Sequence, residues 1–581
     1  MDGTSDLFTK LRDGLKDEIH QNKDVDNDDF CQETTKNFDP PNTHFTRAFS
    51  FHKTLPHDYY GQVDENAFKH LQKCAAGGDS AHCEKVPAGD YHGSLIDPSA
   101  GVRMDVCRLQ RAGMGVQLKA PPSVTSAEMA AQVAECYWMS LVRDIPFNKY
   151  HKHPLTRKAA ENLAYMPGFF HSNDVPWSGH KAIDPRRDLF RATFVGVRNG
   201  PMISQLLLRD YDMDAMTIRP MRKTFAPGID YMTDHHSWLA IQNGAKPDTP
   251  EKHDRQLRFI RNGRDLGKLV YTDTIYTEAV EGALTIMQAH GMDRGGHNGP
   301  YTKHSRMKGF VDWGLSHLLR IIGDAADAHR EAWFQKWQVH MFIRPEAFGG
   351  LVHDTVSGHY PYPIHDSLLN NWELLDRVAR ANVYQNKRNR ISKRKQLTYL
   401  LSQARLGVKE GSPAHPSYPS GHAVLYGAAA TVLKAIMGHE RGKYCFPDPV
   451  YPSDDGLKLR RFRPTKYDWC FDKYGRERQG LTFEGEVNKL AANIAFGRQF
   501  LGVHYRMDGT EGIIFGETQA VRALHEEIKS LGDDDTFYKF RLFRGELVKL
   551  MADGTFSVDG KLCDRVKFRG ADQCTLPTNG D

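Results

Sequence analysis

Residues 415–424 read HPSYPSGHAV and lead into the apolar stretch LYGAAATVLKAIM. The small and apolar residues after His422 contain no proline, which predicts a helix that begins beside Ser420. The first N–H groups of a helix and the positive end of its dipole attract anions, and Gly421 would let an oxyanion approach the main chain. Ser420 can donate a hydroxyl hydrogen bond, and His422 can transfer a proton near neutral pH. The alternative is an ordinary helix cap followed by a surface histidine.

Residues 336–345 read KWQVHMFIRP and carry two cations. On a helix, their separation places Lys336 and Arg344 about two turns apart on one side, where both can contact one ligand. Because the residue before a proline avoids helical geometry, Pro345 is expected to end that helix just after Arg344.

Residues 497–508 read GRQFLGVHYRMD and add a third cation, Arg498, followed by an imidazole and a carboxylate. Asp508 can orient His504 by hydrogen bonding, or it can be a structural ion-pair partner of Arg506 or Arg498. Together the three segments supply a lysine, two arginines, a hydroxyl, a backbone amide and histidines. Fixed donors of this kind, above all bidentate guanidinium groups, suit a tetrahedral or trigonal-bipyramidal oxyanion.

The composition bounds the class of protein. The chain has 581 residues with a formal net charge of +5 from 77 basic and 72 acidic residues, a near balance that does not indicate a nucleic-acid partner. The basic run at residues 387–395 is interpreted as a solvated connecting loop, although such a run can attract a polyanion. No apolar run approaches the roughly 18 residues of a membrane span, and the N-terminus lacks the apolar core of a secretory signal. Localisation stays open between the cytoplasm and export by a route that the sequence does not reveal.

Nine cysteines are few for this length. Cys74 and Cys83 flank a glycine-rich loop, and Cys563 and Cys574 flank the C-terminal tail, which suggests a short-loop disulfide at each place. An odd total leaves one thiol free or bonded between subunits. No Cys-x-x-Cys occurs, so structural zinc is not expected.

Apolar residues recur at helical spacing in long stretches, with Ser126 as the expected cap of the first and Gly323 as an expected break in the third. These stretches are residues 126–145, 266–291, 311–343, 481–505 and 516–531. Strand patterns are short and scattered, so the fold class is mainly α, a helical bundle with few short strands. We expect four regions: a partly irregular N-terminal region (1–125), a helical body with a first bundle (126–320), a bundle carrying the oxyanion site (321–540), and a C-terminal tail, which can include a short hairpin (541–581).

The pattern K-x7-RP, then P-S-G-H, then G-R-x5-H-x3-D resembles the superfamily shared by vanadium-dependent haloperoxidases and acid phosphatases of the type-2 phosphatidic-acid-phosphatase kind. The stretches RNGPMISQLLL, PGIDYMTDHHSWLAIQNG, RPEAFGGL and GEVNKLAANIAFGRQFLGVHY extend the resemblance to the algal and cyanobacterial bromoperoxidase branch. The likeness covers roughly residues 125–525, whereas the first 120 residues match poorly.

This resemblance implies a role for each matching residue. His504 would bind vanadium through a neutral ring nitrogen, with Asp508 behind it. The groups that would hold the oxygens of vanadate are Lys336, Arg344, Arg498, Ser420 and the Gly421 amide. His422 would be the acid–base residue, and Lys336 would also polarise peroxide. His415 would tune His422 and, with Trp333, line the halide pocket; the alternatives are a hydrogen-bonded neighbour for His415 and plain helix core for Trp333.

The implied activity is that of a vanadate-dependent bromoperoxidase, which uses hydrogen peroxide to oxidise bromide to hypobromous acid that brominates small organic acceptors. The resemblance also implies a homo-oligomer, with cysteines that can link subunits, and leaves room for a structural calcium ion. One alternative is an acid phosphatase in which His504 forms a phosphohistidine and His422 protonates the leaving group. A second is a non-catalytic oxyanion-binding protein, which would not need His422.

Overall fold

The computed structural model describes residues 47–77, 80–100, 118–169, 183–213, 215–246, 252–271, 276–290, 301, 305–389, 397–404, 411–531 and 536–563. The α-helices, in chain order, are α1 (Glu65–Gly77), α2 (Ser80–Cys83), α3 (Ala127–Val142), α4 (Pro154–Tyr165), α5 (His235–Gln242), α6 (Gly263–Leu269), α7 (Thr277–His290), α8 (Leu315–Ala325), α9 (Ala328–Phe334), α10 (Pro345–Val356), α11 (Asp366–Leu369), α12 (Trp372–Arg388), α13 (Gly421–Met437), α14 (His439–Gly442), α15 (Phe483–Leu501) and α16 (Arg506–Ser530). A π-helix, Gln335–His340, follows α9, and two 3₁₀ turns span Phe147–Lys149 and Gln205–Leu207.

The strands are short and form small antiparallel sheets. They are β1 (Tyr211–Met213), β2 (Met216–Ile218), β3 (Val450–Pro452), β4 (Leu459–Arg461), β5 (Trp469–Phe471), β6 (Glu477–Gln479), β7 (Phe537–Arg541), β8 (Leu547–Met551), β9 (Phe556–Val558) and β10 (Lys561–Cys563). The first six pair as the hairpins β1–β2, β3–β4 and β5–β6. The last four form one sheet in the order β10-β9-β8-β7, so the C-terminal hairpin of the prediction is part of a larger sheet. The predicted mainly α fold with few short strands is confirmed.

The centre of the molecule is built from α13, α15 and α16. All 19 residues of α15 are buried, and in α13 every residue except His422 is buried. Helix α13 can lie inside the protein because nearly all of its residues are small or apolar. Helix α15 also carries buried charges, such as Lys489, which pairs with Glu486 at 2.7 Å. Gly427 of α13 and Gly512 and Gly516 of α16 bring the two helices close, since a Cβ on any of them would press on the other helix. The start of α13 and the start of α16 are thereby held together.

Lys336 and Arg344 do not share a helix. Lys336 lies in the π-helix, which ends at Met341 in the left-handed conformation with φ 41°. Arg344 is the N-cap of α10, and Pro345 is the first residue of that helix. The prediction that Pro345 ends a helix is therefore wrong. At the first helical position proline has no hydrogen bond to lose, and its fixed φ suits the helix.

The other predicted helices are found with different breaks. Ser126 caps α3, accepting a hydrogen bond from the amide of Met129 at 3.1 Å, so that prediction is confirmed. The stretch 266–291 is divided between α6 and α7. The stretch 311–343 breaks after Ala325 and not at Gly323, which lies inside α8.

The disulfide Cys74–Cys83 is present as predicted. A second disulfide, Cys445–Cys470, joins the segment after α14 to β5 and was not indicated by the sequence. Cys574 lies outside the described residues, so the predicted pair with Cys563 stays a prediction, as do the region boundaries at 125, 320 and 540. In the part of the chain that the structure describes, no helix combines the length and the apolar character needed to span a bilayer.

Candidate active site

The loop of residues 415–420 connects the parts of the site. The Lys336 ammonium donates hydrogen bonds to the carbonyl oxygens of Pro416 and Ser417, both at 3.0 Å. At the end of the loop, the amide of Ser420 donates to the carbonyl oxygen of Asp508 at 2.9 Å. The loop therefore fixes the π-helix and the start of α16 relative to the first turn of α13.

Arg344 joins the two histidine-bearing loops. Its Nε donates to the His415 carbonyl oxygen at 2.8 Å, and Nη1 donates to the Val503 carbonyl oxygen at 2.9 Å. Nη1 also lies 3.0 Å from Nε2 of His504, and Nη2 lies 3.0 Å from Nδ1 of His415. The guanidinium is buried, so α10 begins with a cation enclosed between two imidazoles.

His504 is held by a carboxylate on one ring nitrogen. Nδ1 lies 2.7 Å from Oδ2 of Asp508, which also accepts from the Tyr505 amide at 3.1 Å and from the Ser417 hydroxyl. A carboxylate that accepts these bonds places the imidazole hydrogen on Nδ1. Nε2 is then left with a lone pair that faces Arg344. The orienting contact predicted for Asp508 is present, and Arg506 instead pairs with Glu135.

The site concentrates buried positive charge. Burial and the charges of Arg344 and Arg498 lower the pKa of Lys336 well below its usual value. Burial, with Arg498 adding to it, lowers the pKa of Arg344 to about 9. Burial and the three cations also hold the pKa of His504 well below that of a free imidazole, which keeps the ring neutral. In the described residues, no carboxylate lies within salt-bridge distance of Lys336 or Arg344. A bound anion would stabilise all of these groups.

Arg498 reaches the site from the last turn of α15. Its Nη1 donates to the Val270 carbonyl oxygen at 2.9 Å, which anchors the side chain after α6. Gly502 ends α15 in the left-handed region at φ 91°, and the chain turns there towards His504. The spacing between Arg498 and His504 thus reflects a helix end followed by a tight turn.

The N-terminus of α13 rests on α9. Ser420 caps the helix, and its side chain accepts from the Ala423 amide at 3.4 Å. A Cβ on Gly421 would lie 3.3 Å from the Trp333 ring, so the glycine permits a close approach at this point. The carbonyl oxygen of Gly421 lies 2.8 Å from Nε2 of His329, a residue that sequence reasoning missed. His422 follows, partly exposed.

Trp333 and His415 lie against each other beside the cations. Their ring centroids are 4.8 Å apart, and the Lys336 ammonium lies 5.7 Å from the Trp333 ring. Trp333 is half-buried, and its indole N–H has no hydrogen-bond partner among the described residues. The structure thus brings Lys336, Arg344, His415, His504 and Trp333 together through direct contacts.

Two groups beneath the site were not indicated by the sequence. Ser417, which donates to Asp508, lies 91 residues from it in the chain, and no local pattern joins the two. Cys136 of α3 is buried, and its thiol lies 3.5 Å from the carbonyl oxygen of His504. Burial and the nearby Glu135 and Asp508 carboxylates raise the pKa of that thiol well above its usual value.

The chain is similar to known proteins in sequence and in fold. Residues 382–531 match the family described as the VCPO second helical-bundle domain. A vanadium-dependent bromoperoxidase of Ascophyllum nodosum is 48% identical over 531 residues, covering 91% of each protein. The chain belongs to the vanadium-dependent haloperoxidase family. A bromoperoxidase of Corallina pilulifera is 29% identical over 89% of this chain and 93% of its own length. A solved structure, that of the second vanadate-dependent bromoperoxidase of Ascophyllum nodosum, matches this fold with a TM-score of 0.82 and 37% sequence identity. The match covers 89% of this chain and 86% of that one, and that protein is described as a homohexamer.

The site residues of this haloperoxidase suit a vanadate ion. His504 offers a neutral nitrogen with a lone pair, as a metal ligand must, and Asp508 orients it from behind. Lys336 and Arg344 are buried cations whose polar partners in the described chain are carbonyl oxygens and imidazoles. Such a shell would repel a free metal cation, whereas it stabilises a metal oxyanion.

Proposed function

We propose that the protein is a vanadate-dependent bromoperoxidase, which oxidises bromide with hydrogen peroxide to hypobromous acid that brominates small organic acceptors. The observation that carries this proposal is the neutral Nε2 of His504 facing Arg344 in a pocket of buried cations. The same shell would serve a phosphatase that forms a phosphohistidine. The 48% identity to a protein named as a bromoperoxidase, over 91% of the chain, favours the peroxidase.

The chain's own residues would divide the work between binding and proton transfer. His504 would hold the metal through Nε2, while Lys336, Arg344 and Arg498 would neutralise the oxygens. The Ser420 hydroxyl and the Gly421 amide would add hydrogen bonds at the N-terminus of α13. Since these donors are fixed by backbone contacts before any ligand arrives, little reorganisation is needed during reaction.

Vanadate, when bound, supplies a Lewis-acidic centre at which peroxide becomes reactive towards bromide. His422, partly exposed at the start of α13, would take the proton from the incoming peroxide. The Lys336 ammonium would donate a hydrogen bond to a peroxide oxygen and draw charge from it. Trp333 and His415, in contact with each other beside Lys336, would form the side from which halide approaches.

The test is a reconstitution assay on the full chain. Vanadate-free protein should show no bromination with peroxide and bromide, and vanadate should restore bromination. A phosphate ester offered without vanadate should not be hydrolysed. Hydrolysis of the ester together with no vanadate-dependent bromination would assign the site to a phosphatase and overturn the proposal.

His422→Ala separates proton transfer from binding. We expect kcat for bromination to fall about 10²- to 10⁴-fold, because general acid–base catalysis contributes that much, while vanadate still binds. The measurement is a steady-state rate together with a vanadate titration. His236→Ala, at an exposed position, is the matched control. Full activity in His422→Ala would show that another group handles the proton.

We also propose that the protein is a homo-oligomer, on the basis of the related homohexamer. Light scattering on the purified chain, with and without reductant, measures the copy number and shows whether disulfides link subunits.

We also propose that the protein holds a structural calcium ion. Metal analysis of the purified protein, before and after a calcium chelator, tests for it.

A further inference from the structure

A cluster of metal-ligand side chains lies at the end of α10, opposite to the end that carries Arg344. His353 and Asp354 are in the last turn of the helix, and His359 lies on the segment that follows it. One ligand atom from each residue lies within 4.8 Å of the other two. Nδ1 of His359 is 3.4 Å from Oδ1 of Asp354, and the His359 amide donates to the Asp354 carbonyl oxygen at 2.9 Å. The backbone itself therefore holds the three residues together.

The carboxylate of Asp354 is the feature that a plain hydrogen-bond network does not explain. Asp354 is 1% exposed, and its Oδ2 has no hydrogen-bond partner within the described ranges. A buried carboxylate oxygen without a donor is costly, and a bound ion would remove that cost. His353 is 3% exposed, whereas the His359 side chain is 40% exposed. The cluster thus has two buried residues and one ligand side chain exposed to solvent.

We propose that His353, Asp354 and His359 form a binding site for a divalent transition-metal ion of the Zn²⁺ class. Two imidazole nitrogens and one carboxylate suit Zn²⁺ or Co²⁺, while Ca²⁺ takes six to eight oxygen ligands. The site needs no cysteine. A cation here also lies at the negative end of the α10 dipole.

The geometry requires a modest adjustment by one side chain. Zinc–nitrogen bonds are about 2.0–2.1 Å long, so neighbouring ligands around zinc lie roughly 3.3 Å apart. The ligand atoms of the cluster lie within 4.8 Å of one another, so they must come closer together to bind zinc. The exposed ring of His359, whose centroid is 5.9 Å from that of His353, can approach by rotating. A further imidazole, His235, has its centroid 5.9 Å from that of His353 and is a candidate fourth ligand.

This metal site is separate from the proposed vanadate site. His353 lies eight residues after Pro345, about 12 Å along the helix axis from the end that carries Arg344. A metal at this position would join the segment after α10 to the helix, which is a structural role. Loss of the metal is therefore expected to lower thermal stability and to leave the vanadate ligands in place.

The test uses the full chain after chelator treatment, with Zn²⁺ alone as the probe in a calorimetric titration. We expect one tight Zn²⁺ per chain and a rise in Tm. His359→Ala removes an exposed ligand, so the protein should fold and its zinc affinity should fall about tenfold or more. His236→Ala, another exposed histidine, should bind zinc like the wild type.

Co²⁺ supplies an independent readout. Visible d–d absorption of the Co²⁺-loaded wild type should be absent in His359→Ala and in Asp354→Asn. If the wild type does not bind zinc, or if His359→Ala binds it as tightly as the wild type, the proposal is wrong. Bromination measured on the same samples distinguishes this outcome from failure of the proposed function.

Discussion

At the scale of single residues, the contact between His504 and Asp508 sets which ring nitrogen is available to a ligand. With the hydrogen on Nδ1 and directed at Oδ2, 2.7 Å away, Nε2 keeps its lone pair. Asp508→Asn should weaken vanadate binding about 10- to 100-fold, the usual effect of losing a carboxylate behind a ligating histidine. Activity measured against vanadate concentration checks this, with the exposed Asp376→Asn as the control. Unchanged affinity in Asp508→Asn would contradict the orienting role.

A second prediction concerns stability in acid. Burial lowers the pKa of His52 from about 6.5 to about 4, and its Nδ1 lies 2.8 Å from Nε2 of His57. Between these two pKa values the unfolded chain binds a proton that the folded chain does not. The free energy of unfolding should therefore fall as pH drops from about 6.5 to 4, by on the order of 3 kcal/mol for this residue.

Denaturant unfolding at pH 7, 5.5 and 4.5 measures that slope. His52→Gln should have a shallower slope than the wild type, and the exposed His236→Gln should match the wild type. Equal slopes in all three proteins would mean that His52 does not contribute.

The sequence predicted some contacts of the site and could not have predicted others. The contact between His504 and Asp508 is predictable because the two residues are only four positions apart in the sequence. The contact between Ser417 and Asp508, or between His329 and Gly421, joins segments about 90 residues apart. Such pairs follow from how the helices pack, which local sequence patterns do not reveal.

At the scale of helices, glycine allows α13 and α16 to touch. A Cβ at Gly516 would overlap the carbonyl oxygen of Val424, and backbone cannot move aside as a side chain can. Gly516→Ala should lower the free energy of unfolding by about 1–3 kcal/mol. Gly323→Ala is the matched control, because Gly323 lies inside α8 with nothing within 4 Å of its Cβ position. That control should raise stability by about 0.5–1 kcal/mol.

Thermal and denaturant unfolding of the two variants check the prediction. If both variants are more stable than the wild type, the conclusion that α13 and α16 pack closely at Gly516 is wrong. Since α13 carries Ser420 and Gly421 and α16 carries Asp508, Gly516→Ala should also reduce vanadate affinity.

Helix existence was easier to predict than helix boundaries. Periodicity located α3 and α15. The predicted stretch 516–531 covers only the C-terminal part of α16, which begins at Arg506. Around Pro345 the local rule was ambiguous, since proline both follows the end of one helix and occupies the first position of the next. The π-helix at Lys336 is set by tertiary contacts to the 415–420 loop, which periodicity does not encode.

At the scale of the whole molecule, the N-terminal region supports the site although the family resemblance does not extend to it. The Lys53 ammonium contacts the Glu346 carboxylate at 2.5 Å and donates to the Ser412 carbonyl oxygen at 2.7 Å. Glu346 accepts in turn from the Ser412 amide at 2.9 Å. Lys53 and Glu346 are 2% and 0% exposed, so this ion pair is inside the protein. It ties the segment before His415 to the first turn of α10.

Lys53→Met should lower the free energy of unfolding by about 3–5 kcal/mol, because it leaves a buried carboxylate without its cation. The double variant Lys53→Met/Glu346→Gln removes both charges and should recover part of that loss. Denaturant unfolding gives the energies, and vanadate titration of the same proteins reports on the loop. A single variant as stable as the wild type would show that the pair is dispensable.

The burial of Cys136 affects how well the enzyme resists inactivation by its own oxidant. An enzyme that releases hypobromous acid exposes its own sulfur atoms to a strong oxidant, and thiolates react with such oxidants far faster than thiols. Cys136 is a free, buried cysteine whose thiol lies 3.5 Å from the carbonyl oxygen of His504, the proposed vanadium ligand. Burial and the charges of Glu135 and Asp508 raise the pKa of this thiol, which favours its protonated form. A thiol this close to the proposed reaction centre is thus held in its less reactive form, and we expect this to limit self-inactivation over many turnovers.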